Sequence, residues 1–505
     1  MPRLKVPGVR KGSVVTSSVT YDTSIGNGVD SNGFADLPLR SGAKYIFVGS
    51  GGSDSNTGLS HAQRLATPNA AQAKITDQAG DQVLLAEGSS FTQDLTNLAN
   101  NRGFSLLYPT AFRSYNPSDP TNTALYGRAT GSNRPVLNTG ANSNFTYLPG
   151  GGSIPLGYYA FQGLDWNPGN LTDMSAVGIQ NLGDGVLIEN CIMRNCGIGL
   201  DKVGASNSLY HVIRNCAIYG TWSTTGTGGQ GIYIFGADVT VEDCVLYHCG
   251  WKIGASRDDA VASGGTAVFK HPIYLEYGSS GTFRRNLIME GSADAGKYIG
   301  TDVTFTENLI IKCPLLQLGG QGSDYTTESP AGHNIEASKN AIIGANDVNT
   351  SNVRRWGCYT FNCTSSSAFH HNLIARASST ASGHTFWTEA AHDVPSYMNY
   401  HDNVSYLQNT SGQTTIETGS FPAQVHATYN NNIWDDSASG TNTNNGSATF
   451  PNAYTLTSLY SALTATFPSI TDETSFISYV TNNPEAHVTR TARALLMAGY
   501  GNGLS

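Results

Sequence analysis

The stretch ENCIM at residues 189–193 returns along the chain in altered form: RNCAI at 214–218, EDCVL at 242–246, RNLIM at 285–289, ENLII at 307–311, KNAII at 339–343, HNLIA at 371–375, DNVSY at 402–406 and NNNIW at 430–434. Aligned on the second letter, the polar member is Asn190, Asn215, Asp243, Asn286, Asn308, Asn340, Asn372, Asn403 and Asn431, with Gly163 of FQGLDW one turn earlier. Most steps lie between 22 and 32 residues, the length of one turn of a three-sided β-coil with loops of varying size. Asparagine tolerates left-handed backbone angles at a tight turn. Its amide also bonds to the amides above and below in a stacked ladder. Nine such positions followed by aliphatic pairs such as Leu287-Ile288 and Leu309-Ile310 specify an all-β right-handed parallel β-helix of about ten rungs. A Greek-key sandwich would show strands every 8–12 residues without a phase-locked column.

Composition agrees. Charged residues are 13% and aromatics 10%, with 57 glycines, a turn-rich mixture. A formal net charge of -9 argues against nucleic acid as partner. No apolar run approaches the roughly 20 residues a bilayer crossing needs, so no membrane insertion is expected. The opening MPRLKVPGVRKGSVVTSSV has basic residues but no apolar segment, and is not read as a signal peptide. Cys191, Cys216 and Cys244 share one position in successive repeats, which favours a buried thiol stack, although neighbours in such a stack are close enough for a disulfide. With no Cys/His zinc spacing, GxGxxG or P-loop, neither metal nor organic cofactor is expected.

The segment KYIFVGSGGSDSNTGLSHAQRLATPNAAQAKI, followed by GDQVLLAEGSSF and later by FRSYNPSD, ALYGR and NRPVL, resembles the amino-terminal cap and first turns of pectate-lyase-like β-helix proteins. The resemblance covers roughly residues 44 to 435. It implies a cap helix near Asn69 to Ile75, started by Thr67-Pro68, and a superfamily of lyases, hydrolases, epimerases and phage tailspikes. Residues 1–43 then form an N-terminal arm, 44–435 the catalytic β-helix, and 436–505 a loop and helical closure over EAHVTRTARALLMAGYG. A polysaccharide partner and an extracellular or virion-associated setting follow from the resemblance, as does a possible homotrimer. The turn Asp54-Ser55-Asn56 lacks the full ligand run of a calcium loop and reads as a plain turn.

Chemistry is expected where the spacing breaks. Asp243 to Asn286 is 43 residues, so this rung extrudes WKIGASRDDAVASGGTAVFK, and loops on a rigid scaffold carry function. The following HPIYLEYG reads as a strand with Ile273 and Leu275 inward and Tyr274 and Glu276 outward. Tyr233 of GIYIFG and Lys297 and Tyr298 of GKYIG come at comparable phase, giving a file of tyrosines suited to stacking on sugar rings. The leading expectation is a depolymerase that hydrolyses a bacterial surface or extracellular glycan, with β-elimination as the close alternative; hydrolysis needs two carboxyls, and outward Glu276 with Asp258 and Asp259 form the preferred pair. Glu389, Asp393 and Asp165 are further candidates. For β-elimination His271 or Tyr274 would act on the proton, while Arg257, Lys252, Lys270 and Lys297 neutralise a uronate carboxylate. Trp251 completes the expected substrate contacts. A non-catalytic glycan-binding adhesin would use the same tyrosines without converging acids.

Overall fold

The computed structural model describes residues 20–92, 95, 98, 101–138, 144–148, 157–168, 177–181, 184–201, 210–221, 229–250, 270–292, 294–320, 333–344, 357–376, 384–389, 395–407, 414–418, 425–430, 432–435 and 455–499. Among the described residues, three sheets of 13, 12 and 10 strands span residues 45–435, each strand pairing with its counterpart one coil on. All these pairings are parallel; Gly185–Glu189, for instance, lies between Tyr158–Gln162 and Tyr210–Arg214 without a register shift. One coil visits the sheets in turn, Gly185–Glu189, Ile192–Arg194, then Gly197–Asp201. This is the expected parallel β-helix. The first sheet exceeds ten strands because its early members, from Tyr45–Val48 to Tyr158–Gln162, lack the asparagine block.

From Tyr158–Gln162 onward, each described corner between the first two sheets turns on a single residue with positive φ: Gly163, Asn190, Asn215, Asp243, Arg285, Glu307, Lys339, His371 and Asp402. The next residue points inward and is buried in every coil: Leu164, Cys191, Cys216, Cys244, Asn286, Asn308, Asn340, Asn372, Asn403 and Asn432. The blocks are therefore one residue out of step between the two halves. Pairing of Val245 with Leu287 sets Cys244, not Asp243, beneath Asn286. Asn190 and Asn215 hold the left-handed turn, whereas the later asparagines form the interior ladder, which ends on Asn432 rather than Asn431. Each ladder Oδ1 accepts the N–H of the preceding column residue, from Cys244 N to Asn286 at 3.0 Å through Asn403 N to Asn432 at 3.0 Å.

One row of carbonyl oxygens serves both halves. Cys191, Cys216 and Cys244 donate their thiols to Phe161, Ile188 and Ile213, and Asn286 and Asn308 donate their amides to Val241 and Phe283. Thiol and amide are alternative answers to one buried acceptor. All eight cysteines are buried and free.

The ends and flanks are covered by the rest of the chain. Helix α1, Pro68–Gln72, is capped by the Thr67 hydroxyl, which accepts from Ala70 N–H at 3.2 Å, and it buries Ala71 in the core next to the first strands. The Asp54 carboxylate accepts from the N–H groups of Ala66 and Thr67 and from the Thr67 hydroxyl, locking the turn ahead of this helix. Residues of the 20–37 segment lie on the outer face of the first sheet, where Ile25, Ala35 and Leu37 pack on Ala160, Leu187 and Val212. There the segment also serves buried charges: Ala35 N–H donates to Glu189, Asp22 N–H to Glu242, and Arg214, fully buried between those two glutamates, donates to the Asp22 carbonyl. Helices α2 (Leu456–Leu463), α3 (Glu473–Asn482) and α4 (Val488–Gly499) close over the outer face of the second sheet, burying Leu459, Phe476, Val480 and Leu496 against Ile192, Val245, Leu287 and Leu309. Among the described residues no such cluster covers the third sheet. None of the described helices is long and apolar enough to cross a membrane.

One interior residue breaks the pattern. His211 points inward between Val186 and Val239 in register, is fully buried, and neither ring nitrogen has a hydrogen-bond partner among the described residues. Burial lowers its pKa from 6.5 to about 3. The unfolded imidazole takes a proton as pH falls below about 6.5, but the folded one does not until about pH 3. Stability is thus present above that window and lost across it, by an amount on the order of 5 kcal/mol. His211→Leu removes this contribution, and its melting temperature is expected to fall less than that of the wild type between pH 6.5 and 4. Equal acid sensitivity in the two proteins would refute the assignment.

Candidate functional site

Side-chain alternation along the third sheet sends Ile232, Ile234, Ile273, Leu275, Leu316 and Leu318 into the core. The residues between them face outward in register: Gly199, Tyr233, Tyr274, Lys297, Gln317 and Tyr359 are successive Cα partners, and the Trp387 backbone pairs next in the row. The expected external file exists on the one sheet that no described segment packs against. Tyr233 and Tyr274 meet edge to face at 5.7 Å, and the Lys297 ammonium lies 5.1 Å from the Tyr274 ring centroid.

Tyr298 is not part of this file. Its Cα partner is Leu275, so its ring points inward between Phe283 and Phe305 at 4.7 and 5.0 Å, and burial raises its hydroxyl well above the ordinary range. The strand Lys297–Tyr298 has only two residues, too few for alternation to fix the phase from sequence, and Lys297 takes the outward place. Lys270 is only 2% exposed, so its ammonium is not presented on the open face. Asp165 lies on the second sheet in an ion pair with Arg194 at 2.8 Å. Trp251, Lys252, Arg257, Asp258, Asp259 and Asp393 lie outside the described residues, and of Glu389 only the backbone, at the end of a third-sheet strand, is described.

Around Tyr274 the chain assembles polar groups from three coils. His271 is buried at the strand entrance, with its N–H donating to Gln230 Oε1 and its carbonyl accepting from Gly231. The His271 ring contacts Tyr274 edge to face at 5.2 Å. Its Nδ1 lies 2.7 Å from Oδ2 of buried Asp294, whose other oxygen accepts from Gly296 N–H at 2.8 Å. Donation of Nδ1–H to Asp294 leaves the lone pair on Nε2, the tautomer of a general base. On the far side of the file the Tyr233 hydroxyl donates to Glu276, which has its own outward position after Leu275. Of the expected residues, His271, Tyr274, Lys297, Tyr233 and Glu276 are thus brought onto one stretch of the third sheet. Asp294 and Gln230 were not anticipated. Asp294 carries a signal only in retrospect, as the one acid of SADAGK, one coil beyond His271.

The fold is similar to several solved structures. An alginate lyase from Paenibacillus sp. str. FPU-7 superposes over 70% of this chain and 98% of its own, with 14% identity and a TM-score of 0.30. GH136 lacto-N-biosidase from Eubacterium ramulus matches over 77% of this chain and 67% of its own, with 14% identity and a TM-score of 0.41. The tailspike gp49 of Acinetobacter baumannii bacteriophage Fri1, a capsular polysaccharide depolymerase, matches over 81% and 62%, with 13% identity and a TM-score of 0.34. No protein-family profile matches the chain, and no curated protein sequence matches it. At this level of superposition nothing about chemistry passes from those proteins to this one.

Proposed function

We propose that this protein is an extracellular or virion-borne polysaccharide-degrading enzyme that lays its substrate along the outer face of the third sheet and cleaves it beside Tyr274 by β-elimination. The observation that carries the reading is the meeting of the Asp294-oriented His271 with Tyr274 and Lys297 on the third sheet, which no hydrophobic cluster of the described residues covers. Elimination needs a base, a cation to offset the uronate carboxylate, and a proton donor for the leaving oxygen. In this assignment His271 Nε2 takes the proton next to the carboxylate, Lys297 holds that carboxylate, and the Tyr274 hydroxyl protonates the departing oxygen as the glycosidic bond breaks. The product carries a carbon–carbon double bond, and the fragment released with the leaving oxygen ends in an ordinary sugar. Tyr233 supplies a stacking surface one coil away.

Hydrolysis is the second reading, favoured by the hydrogen bond from Tyr233 to Glu276, which fixes that carboxyl at the edge of the file. It requires a second carboxyl across the bond, and the expected partners Asp258 and Asp259 are outside the described residues. Incubation with a panel of uronate-containing and neutral glycans separates the readings. Elimination yields new reducing ends together with ultraviolet absorbance from the conjugated double bond. Hydrolysis yields reducing ends alone, and absence of both across the panel leaves a glycan-binding protein without the proposed activity.

A further inference from the structure

We infer that His370, His371 and His401, on the outer flank of the first sheet, form a binding site for a divalent transition-metal ion of the zinc class. The three side chains come from two adjacent coils. His370 ends the strand Ala368–His370 and is the Cα partner of His401, over which its ring stacks at 4.7 Å and 6°. His371 occupies the left-handed corner, with φ of 55°, and its Nδ1 approaches His370 Nδ1 to 2.7 Å. One potential ligand atom from each histidine lies within 4.8 Å of the other two. Small movements of three rings bring such a set to the roughly 2.0–2.1 Å distances of zinc–imidazole bonds.

A second observation points the same way. His370 Nε2 lies 2.6 Å from Glu336 Oε1, and His401 Nδ1 lies 2.8 Å from Asp402 Oδ2. Each ring then keeps its N–H on the carboxylate side and its lone pair on the other nitrogen, the arrangement that orients histidine ligands at metal centres. Three neutral imidazoles with carboxylates behind two of them suit zinc, cobalt, nickel or copper, and give magnesium or calcium nothing better than surface oxygens. The side chains of His370 and His401 are 22% and 27% exposed, so an ion can reach them. The site is on a different sheet from the proposed cleavage face. Bound there, the ion ties the coil of His370 and His371 to that of His401, close to Asn432, where the hydrogen-bond ladder ends.

Full-length protein without an affinity tag, stripped with chelator and titrated with zinc chloride by calorimetry, is expected to take up one equivalent with micromolar or tighter affinity and to melt at higher temperature. His371→Asn keeps a residue suited to the left-handed corner, and both it and His401→Asn are expected to abolish uptake and the melting shift with an unchanged circular dichroism spectrum. Calcium and magnesium should produce neither effect. Uptake only at millimolar zinc, or one equivalent retained by the double variant, overturns the site.

Discussion

Replacing Asn340 by alanine is expected to destabilise the protein by about 4 kcal/mol, a large share of the roughly 5–15 kcal/mol that holds a domain folded. Asn340 sits in mid-ladder, fully buried. Its Oδ1 accepts from the backbone N–H of Asn308 at 2.9 Å and from the Asn308 amide at 3.0 Å; its own amide donates to the Phe305 carbonyl at 2.8 Å and to Asn372 Oδ1 at 2.9 Å. Alanine leaves these partners buried and short of a bond, at about 1–3 kcal/mol each with incomplete additivity, and adds a cavity. Lys339→Asn, at the adjacent left-handed corner, is the matched control and should change stability by less than about 0.5 kcal/mol. Denaturant unfolding followed by circular dichroism reads both. A loss below 1 kcal/mol for Asn340→Ala would mean that the ladder is ornamental.

The second large effect concerns chemistry. His271→Ala is expected to reduce kcat on a cleavable uronate polymer by about 10²–10⁴-fold, the usual contribution of a positioned base, while KM changes little because the tyrosine file remains. Asp294→Asn should give a smaller loss, since the amide can present either a donor or an acceptor to Nδ1 and no longer fixes the tautomer. Both side chains are buried, so the melting temperatures of the variants must accompany the rates. A folded His271→Ala protein that keeps activity within threefold of wild type removes His271 from the mechanism.

Much of this molecule could be read from its letters, and the misreadings have physical causes. The repeat announced the coil because each turn must bury one side chain at the same corner. Its register slipped by a residue because asparagine suits two adjacent places, the left-handed corner held by Asn190 and the interior column held by Asn286. Keeping the aliphatic residues in phase, Ile192 with Leu287, would have put Cys191 and Asn286 in one column. The site was legible where alternation was long enough, as at Tyr233 and Tyr274, and failed at the two-residue strand holding Tyr298. The histidine cluster was written in the blocks FHHN and YHDN, since aligning Asn372 with Asn403 sets His370 over His401. No pairwise Cys/His spacing rule would find ligands one full coil apart.

The thiol-to-amide change along the interior column falls between Cys244 and Asn286, the widest-spaced step of that column, which takes in residues 251–269. Strands on both sides of that stretch nevertheless pair without slippage, Tyr210–Arg214 with Asp238–Glu242, and Asp238–Glu242 in turn with Ser280–Arg284. Its two ends are pinned by Gly250 donating to the Thr221 carbonyl and by the His271 carbonyl accepting from Gly231. Chain inserted between fixed posts of this kind can be lengthened, shortened or exchanged while the scaffold keeps its shape.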